Sequence, residues 1–272
     1  MSASTPAAET AALAHLRHRL RHLERVVVAF SGGADSALLA WVAHDTLGRD
    51  GARAVTAVSP SLAPEEERDC AELAAEWGLR WAAVATDELA DPAYAANDGQ
   101  RCAHCKTELM AALAPAAAAD GATVVLGVNL DDLGDHRPGQ AAAAEQGAVF
   151  PLVEAGFDKA QVRATSRALG LRTWDKPAAA CLASRVPYGT PVTIGVLHRV
   201  AAAESALRHL GFGQLRVRHY QELARVELLA VDLEEAVRRR DEVVAAVRGA
   251  GYRYVTLDLE GFRSGNLNAD LA

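Results

Sequence analysis

The stretch Val26-Val27-Val28-Ala29-Phe30-Ser31-Gly32-Gly33-Ala34-Asp35-Ser36 decides the fold. Its first five residues form a short, mostly β-branched apolar run, the pattern of a buried strand. The run passes straight into Ser31-Gly32-Gly33, and residues 37–44 continue as a helix. A strand that enters a helix through two glycines builds an anion site. Gly32 and Gly33 carry no Cβ, so the backbone can approach an anion closely. The helix that follows aims its free N–H groups and the positive end of its dipole at that anion. Ser31 and Ser36 add hydroxyl donors. Asp35 would repel a bare phosphate, and its presence makes sense with Mg²⁺ between it and the phosphates. The loop lacks the lysine and the spacing of G-x-x-x-x-G-K-[ST], and it is not G-x-G-x-x-G. The competing reading is an ordinary glycine turn capped by Ser36.

Outward from this loop, the chain alternates strands and helices. Residues 11–23 read as a helix, 54–59 as a second strand, and Pro64 opens a helix with Glu65, Glu66 and Glu67 in its first turn. Acidic residues there suit the positive end of the helix dipole. Residues 81–86 and 123–128 read as strands, 161–169 as a helix closed by Gly170, and 172–174 as one more short strand. The alanine-rich tract 111–119 reads as a helix interrupted at Pro115. This alternation predicts an α/β fold with a parallel twisted sheet and helices on both faces. Ligands of such sheets bind at the carboxyl ends of the strands. Ser31, Ser59, Asp87 and Asn129 each follow a predicted strand and would line that rim.

Beyond residue 187 the pattern changes. A helix over 194–210, two period-two strands over 215–220 and 224–229, a helix over 233–248 and a strand over 252–259 give α-β-β-α-β, a small α+β C-terminal domain. The expected division is an N-terminal helix (1–24), a nucleotide-binding domain (25–186) and the C-terminal domain (187–272).

Composition bounds the function. The chain has 272 residues, 50% of them hydrophobic, and a formal net charge of -7, so it lacks the overall basic footprint of a nucleic-acid binder. No run approaches the roughly 18 apolar residues of a membrane span, and residues 1–10 do not read as a secretory signal. A cytoplasmic protein is expected. Four cysteines in a chain this long do not make a disulfide scaffold.

Cys102 and Cys105 form a C-x-x-C among Arg101, His104 and Lys106, whose positive charge favours the thiolate. The motif fits a redox pair, half a zinc site or part of an iron–sulfur site. Cys181 lies between Lys176 and Arg185, either of which could stabilise a thiolate or a phosphate. Three cysteines could hold a [4Fe-4S] cluster with one iron open; the alternative for Cys181 is a small buried apolar residue. Cys70 reads as packing. Arg216 and Arg218 alternate on one strand face, so both guanidinium groups can reach one anion, the alternative being a solvated face.

The string S-G-G-x-D-S after a strand resembles the pyrophosphate loop of the ATP pyrophosphatases, with their adenine nucleotide alpha-hydrolase-like fold. The whole chain resembles the LarE family of ATP-dependent sulfur transferases, which help build the nickel-pincer nucleotide of lactate racemase. The resemblance rests on residues 29–36, on Arg101-Cys102-Ala103-His104-Cys105-Lys106, and on residues 127–132 with Asp135-His136-Arg137-Pro138-Gly139. Its most specific part is Ala180-Cys181-Leu182-Ala183-Ser184-Arg185-Val186-Pro187-Tyr188-Gly189-Thr190.

The resemblance implies ATP and Mg²⁺ at Ser31, Gly32, Gly33, Asp35, Ser36 and Asn129, with Ser184 and Arg185 also binding. It implies Cys181 as the sulfur-transferring nucleophile, and Arg216 and Arg218 as holders of the substrate phosphate. It places a metal at Glu204 and Glu227. The substrate it implies is a small-molecule nucleotide, a pyridinium dicarboxylate mononucleotide, and the protein a homo-oligomer without nucleic-acid or membrane partners. Cys102 and Cys105 stand where some members carry two further cysteines, so the resemblance favours a [4Fe-4S] cluster on Cys102, Cys105 and Cys181 over a sacrificial cysteine. Tyr220-Gln221 replaces a glycine usual in the family. Asp131 and Asp132 fit either Mg²⁺ binding or substrate orientation. The rivals are a pyrophosphate-loop enzyme of tRNA thiolation or amidation, and a non-catalytic nucleotide-binding protein.

Overall fold

The computed structural model describes residues 10–133, 138–177 and 180–263. Asp135, His136 and Arg137 of the family motif, and Ala178 and Ala179 before Cys181, lie outside the described residues. In chain order the elements are α1 (Ala11–Leu23), β1 (Val26–Ala29), α2 (Ala34–Gly51), β2 (Ala52–Val58), α3 (Pro64–Glu76), β3 (Arg80–Ala85), α4 (Pro92–Ala95), α5 (Arg101–Asp120) and β4 (Thr123–Leu126). They continue as α6 (Leu130–Leu133), α7 (Pro138–Glu145), α8 (Pro151–Glu154), α9 (Lys159–Ala168), α10 (Ile194–His209), β5 (Leu215–Tyr220), β6 (Leu223–Leu228), α11 (Leu233–Arg238), α12 (Arg240–Gly249) and β7 (Tyr254–Leu257).

Two compact units form. Among the described residues, the first takes 10–59, 64–87, 102–133 and 138–177; the second takes 60–63, 88–101 and 180–263. The first unit holds a four-stranded sheet of order β3-β2-β1-β4, every pair parallel. Its central strand β1 is apolar on both sides because both are covered. Val26 and Val28 pack with Leu16 and Leu20 of α1, Leu38 of α2 and Leu73 of α3. Val27 faces the other way, onto Met110 and Leu113 of α5 and Ala143 of α7. This is the expected parallel sheet with helices on both faces. All four strands end on one side, so the loops after β1 and β4 share a rim.

Three expectations fail locally. Residues 172–174 are a turn, in which the Trp174 N–H donates to the Leu171 carbonyl while the Arg172 guanidinium is drawn to Glu76 and Asp69. The strand position beyond β4 is instead touched by a lone parallel bridge between Val125 and Val149. Helix α5 runs through Pro115 without a break. The helix expected over 233–248 breaks at Arg239 (φ -98, ψ 26), whose guanidinium leaves to bond the Leu210 carbonyl at 2.8 Å.

The second unit builds its own core on a three-stranded sheet, β5-β6-β7, antiparallel then parallel. Val217, Ala224, Val226 and Leu228 meet Ala203 and Leu207 of α10 and Val243 and Val247 of α12. The expected α-β-β-α-β order is present, with its second helix in two pieces.

A proline inside a helix forfeits one backbone hydrogen bond and crowds the preceding turn, at a cost of about 3 kcal/mol. Pro115 is exposed, so packing does not compensate. Pro115→Ala should therefore raise the unfolding free energy by about 2 kcal/mol in urea denaturation, after allowing for the stiffer unfolded chain that proline gives. A loss of stability would mean that the helix does not pass through this residue.

Candidate active site

The loop after β1 is shaped by its own short-range bonds. The Phe30 N–H still pairs with the Val55 carbonyl at 2.8 Å, the last ladder bond before the chain turns. Gly32 then takes φ +68, a conformation costly for residues with a Cβ. A Cβ at this position would also lie 3.0 Å from the Cys70 sulfur and 3.6 Å from the Lys176 ammonium. Gly33 caps α2 with extended backbone and no side chain. The Ser36 hydroxyl donates to the Gly33 carbonyl at 3.2 Å, accepts from the Ser31 N–H at 3.2 Å and lies 3.0 Å from the Ser31 hydroxyl. The two serines expected to bind phosphate thus brace each other across the turn.

The end of β4 closes on this loop from the side. A Cβ on Gly127 would sit 2.6 Å from the Ser36 nitrogen and 2.8 Å from its Cα, against rigid backbone. Two residues on, Asn129 is fully buried and donates from Nδ2 to Oδ1 of Asp35 at 2.8 Å. Asn129 is fixed in turn by Asp132: the Asn129 N–H donates to the Asp132 carboxylate, and the Asp132 N–H to the Asn129 side-chain oxygen, each at 3.2 Å. Lys159 stands 3.6 Å from Asp132, and its backbone N–H donates to Asp131 at 2.9 Å. Asp131 is thereby a cap for the start of α9.

Burial pushes the Asp35 carboxyl above the ordinary carboxylate range; the Asn129 hydrogen bond opposes this and the neighbouring Asp132 adds to it. A half-buried carboxylate resisting ionisation beside a helix N-terminus has the oxygen chemistry and the charge deficit that a hard divalent cation relieves. Asp35 therefore fits Mg²⁺.

Lys176 lies at the loop's other side. Its ammonium pairs with Glu66 at 2.7 Å and Asp69 at 2.5 Å. Burial works against its charge, but these two carboxylates outweigh that and raise its pKa. Burial pushes the Cys70 thiol up to about 11, so it stays a protonated packing group under Gly32, as its sequence context suggested.

Cys102 and Cys105 lie at the start of α5, about one helical turn apart, the first exposed and the second partly so. Among the described residues no group of three or more His, Cys, Asp or Glu side chains is placed to hold a metal ion.

Cys181 belongs to the second unit. It precedes a short 3-10 turn, Leu182–Arg185, and is exposed. Four residues of its motif face inward: Leu182, Ala183, Arg185 and Val186 are each no more than 3% exposed. Its other functional expectations are redirected here. Arg185 is engaged on every arm: Nε and Nη2 reach Glu204 at 2.8 and 3.0 Å, and Nη1 donates to the carbonyls of Ala180 (2.6 Å) and Cys181 (3.0 Å) and to the Ser184 hydroxyl (3.0 Å). It is a strut for the Cys181 turn. Glu204 also receives Arg208 at 2.9 Å and the Val217 N–H at 3.0 Å. Burial opposes its charge, and Arg185 overcomes that to hold its carboxyl below the ordinary range.

Glu227 is likewise buried, taking both arms of Arg218 at 3.0 and 2.9 Å and Arg225 at 3.1 Å. Among the described residues both carboxylates that the family resemblance assigns to a metal, Glu204 and Glu227, are held in buried ion pairs with arginines. Breaking such a pair from one side costs about 3–5 kcal/mol. Arg218 also donates to the Ser184 carbonyl at 2.8 Å, so its fork is already occupied. Arg216, on the same strand face, bonds the Leu215 carbonyl at 2.8 Å and lies over the Phe262 ring. Burial pulls its pKa down to about 10, and the charges of Arg185, Arg218 and Arg208 push the same way. An anion beside Arg216 would relieve this crowding of positive charge.

Because the folded-state pKa of Asp35 is raised, its stabilising contribution is full below the unfolded value and is lost as pH rises through the folded one. At pH 7 its ionised form is a cost. Asp35→Asn should raise the melting temperature of the ligand-free protein at pH 7, with the gain fading near pH 4. It should also weaken magnesium-dependent ATP binding by about tenfold or more. Calorimetry at the two pH values and an ATP titration check both; a lower melting temperature at pH 7 contradicts the burial argument.

Four likenesses to known proteins bear on this geometry. Residues 11–112, which include the glycine loop, match the NAD synthase family model. The chain is 49% identical over 260 residues to the uncharacterized protein slr1717 of Synechocystis sp., covering 94% of this chain and 96% of that one. It is 41% identical over 253 residues to the pyridinium-3,5-bisthiocarboxylic acid mononucleotide synthase of Lactiplantibacillus plantarum, covering 93% and 92%. A more distant relative, MJ0830 of Methanocaldococcus jannaschii, is 25% identical over 245 residues. The glycine loop, the exposed Cys181 and this full-length likeness agree: the chain belongs to the LarE family of pyrophosphate-loop sulfur transferases.

Proposed function

We propose that this protein uses MgATP to activate a carboxylate of a pyridinium dicarboxylate mononucleotide and converts it to a thiocarboxylate through Cys181. The observation that carries this reading is the presentation of Cys181. It is the exposed thiol of a motif whose neighbouring side chains turn inward to hold it, in a chain 41% identical to a bisthiocarboxylic acid mononucleotide synthase.

Each step assigns work to groups described above. The N–H groups at the start of α2 and the hydroxyls of Ser31 and Ser36 would hold the triphosphate, and Asp35 its magnesium. A substrate carboxylate oxygen attacks the α-phosphorus and pyrophosphate leaves, giving an acyl-adenylate. The Cys181 thiolate attacks the acyl carbon and AMP leaves, giving a thioester. Loss of the Cys181 α-proton with cleavage of its Cβ–S bond then releases the thiocarboxylate and leaves dehydroalanine. The thiols of Cys102, Cys105 and Cys181 have the donor chemistry of a [4Fe-4S] cluster with one open iron, which, when bound, would supply sulfide and spare the side chain. Arg216, crowded by like charge, is the group assigned to the substrate phosphate.

The two routes share adenylation and differ at sulfur. Cys181→Ser should keep pyrophosphate release in the presence of ATP and the dicarboxylate within about twofold, while thiocarboxylate formation falls at least about 100-fold. Pyrophosphate is followed by a coupled assay and thiocarboxylate by mass spectrometry. Full thiocarboxylate formation by the serine variant would remove Cys181 from the chemistry. A wild-type protein that binds ATP and releases no pyrophosphate would instead favour a nucleotide-binding role.

A further inference from the structure

Asn97 is fully buried and adopts φ +59, a conformation that asparagine tolerates better than most residues with a Cβ. Its polar groups serve one stretch of chain. Nδ2 donates to the carbonyls of Pro187 and Thr190, each at 2.8 Å, and of Val186 at 3.3 Å. Its backbone carbonyl accepts from the Gly189 N–H at 3.0 Å, and the Ala95 carbonyl from the Val192 N–H at 2.9 Å. Its Oδ1 accepts from Nη1 of Arg101, and that same nitrogen donates to the Ala183 carbonyl at 2.9 Å. The Arg101 guanidinium lies 5.6 Å from the Tyr188 ring centre. Residues 186–193 have no helix or strand to satisfy their backbone. Buried carbonyls without a ladder need side-chain donors, and Asn97 and Arg101 supply them.

The Cys181 turn is therefore held from two sides. Arg185 grips the carbonyls of Ala180 and Cys181. Arg101 and Asn97 grip the carbonyls of Ala183, Val186, Pro187 and Thr190. A nucleophile must meet its acyl carbon in a near-attack geometry, and a displacement of about 1 Å can cost about 100-fold in rate. Adenylation makes no use of the thiol.

We propose that Asn97 and Arg101 are positioning residues for Cys181, a buried amide–guanidinium clamp that fixes the thiol for the sulfur step and leaves adenylation alone. The proposal rests on the sulfur-transfer reading above. The test compares wild type with Arg101→Met at saturating MgATP and dicarboxylate. Pyrophosphate release should stay within about twofold, while single-turnover thiocarboxylate formation falls about tenfold or more. Amide deuterium exchange should quicken across residues 182–192 and stay unchanged across 26–40. Arg101→Lys, which keeps the charge but loses the fork, should recover part of the sulfur step.

An equal fall in both steps would mark a merely structural role and overturn the proposal, as would an unchanged sulfur step. If Arg101→Met does not fold, Arg101→Lys carries the same comparison, and failure of both to fold also overturns it. A wild-type protein without dicarboxylate-dependent pyrophosphate release sinks the functional reading instead. The exchange measurement then decides the clamp by itself, unaltered exchange at 182–192 refuting it.

Discussion

The backbone of the strand after α5 meets the backbone of the glycine loop with no room for a side chain between them. At Gly127 even a methyl group would lie 2.6 Å from the Ser36 nitrogen. That approach fixes where β4 ends relative to α2, and so where Asn129 can reach Asp35. A parallel sheet makes the approach possible, because β1 and β4 run side by side and deliver their following loops to one rim. The glycine loop, the Asp35 carboxylate and the Asn129 amide that orients it thus follow from one packing constraint. The constraint comes at the expense of burying Asp35, whose carboxyl is left poised for a cation rather than for stability.

The second unit solves a different problem. It holds an exposed thiol, Cys181, on a segment with little regular structure. Buried guanidinium groups do this by satisfying backbone carbonyls, and buried carboxylates neutralise the guanidinium groups. Arg185 with Glu204 and Arg218 with Glu227 form two such pairs, and both arginines also bond carbonyls of residues 180–184. Charges this buried tolerate little loss of a partner. Arg216, on the same strand face as Arg218, is half-buried beside these pairs, and burial pulls its pKa down to about 10.

Much of this was legible in the sequence. A β-branched run entering Ser31-Gly32-Gly33 specifies strand, turn and helix together, and the alternation around it specifies a parallel sheet. The exposed Cys181 was legible through its motif. The partners of that motif's other residues were not. Arg185, Glu204 and Glu227 look like ligand-binding charges in a linear reading, because their mates are 19 residues apart for Arg185 and Glu204 and nine for Arg218 and Glu227. Asn97 lies in a turn and Arg101 opens α5 beside the C-x-x-C, 82–93 residues from the carbonyls they serve, and no local pattern reveals those partners. Pro115 misled for the opposite reason: the helix runs on past the proline's local preference, with Met110 and Leu113 of α5 packed into the core beside the sheet.

The central claim is that the Gly127 contact shapes a loop that binds MgATP for adenylation. Isotope exchange between pyrophosphate and ATP, dependent on the pyridinium dicarboxylate mononucleotide, measures this directly. The wild-type protein should catalyse the exchange, and Gly127→Val should lose it by about 100-fold or more while keeping its circular dichroism spectrum. Exchange that survives in the valine variant, or that wild type never shows, would contradict the account.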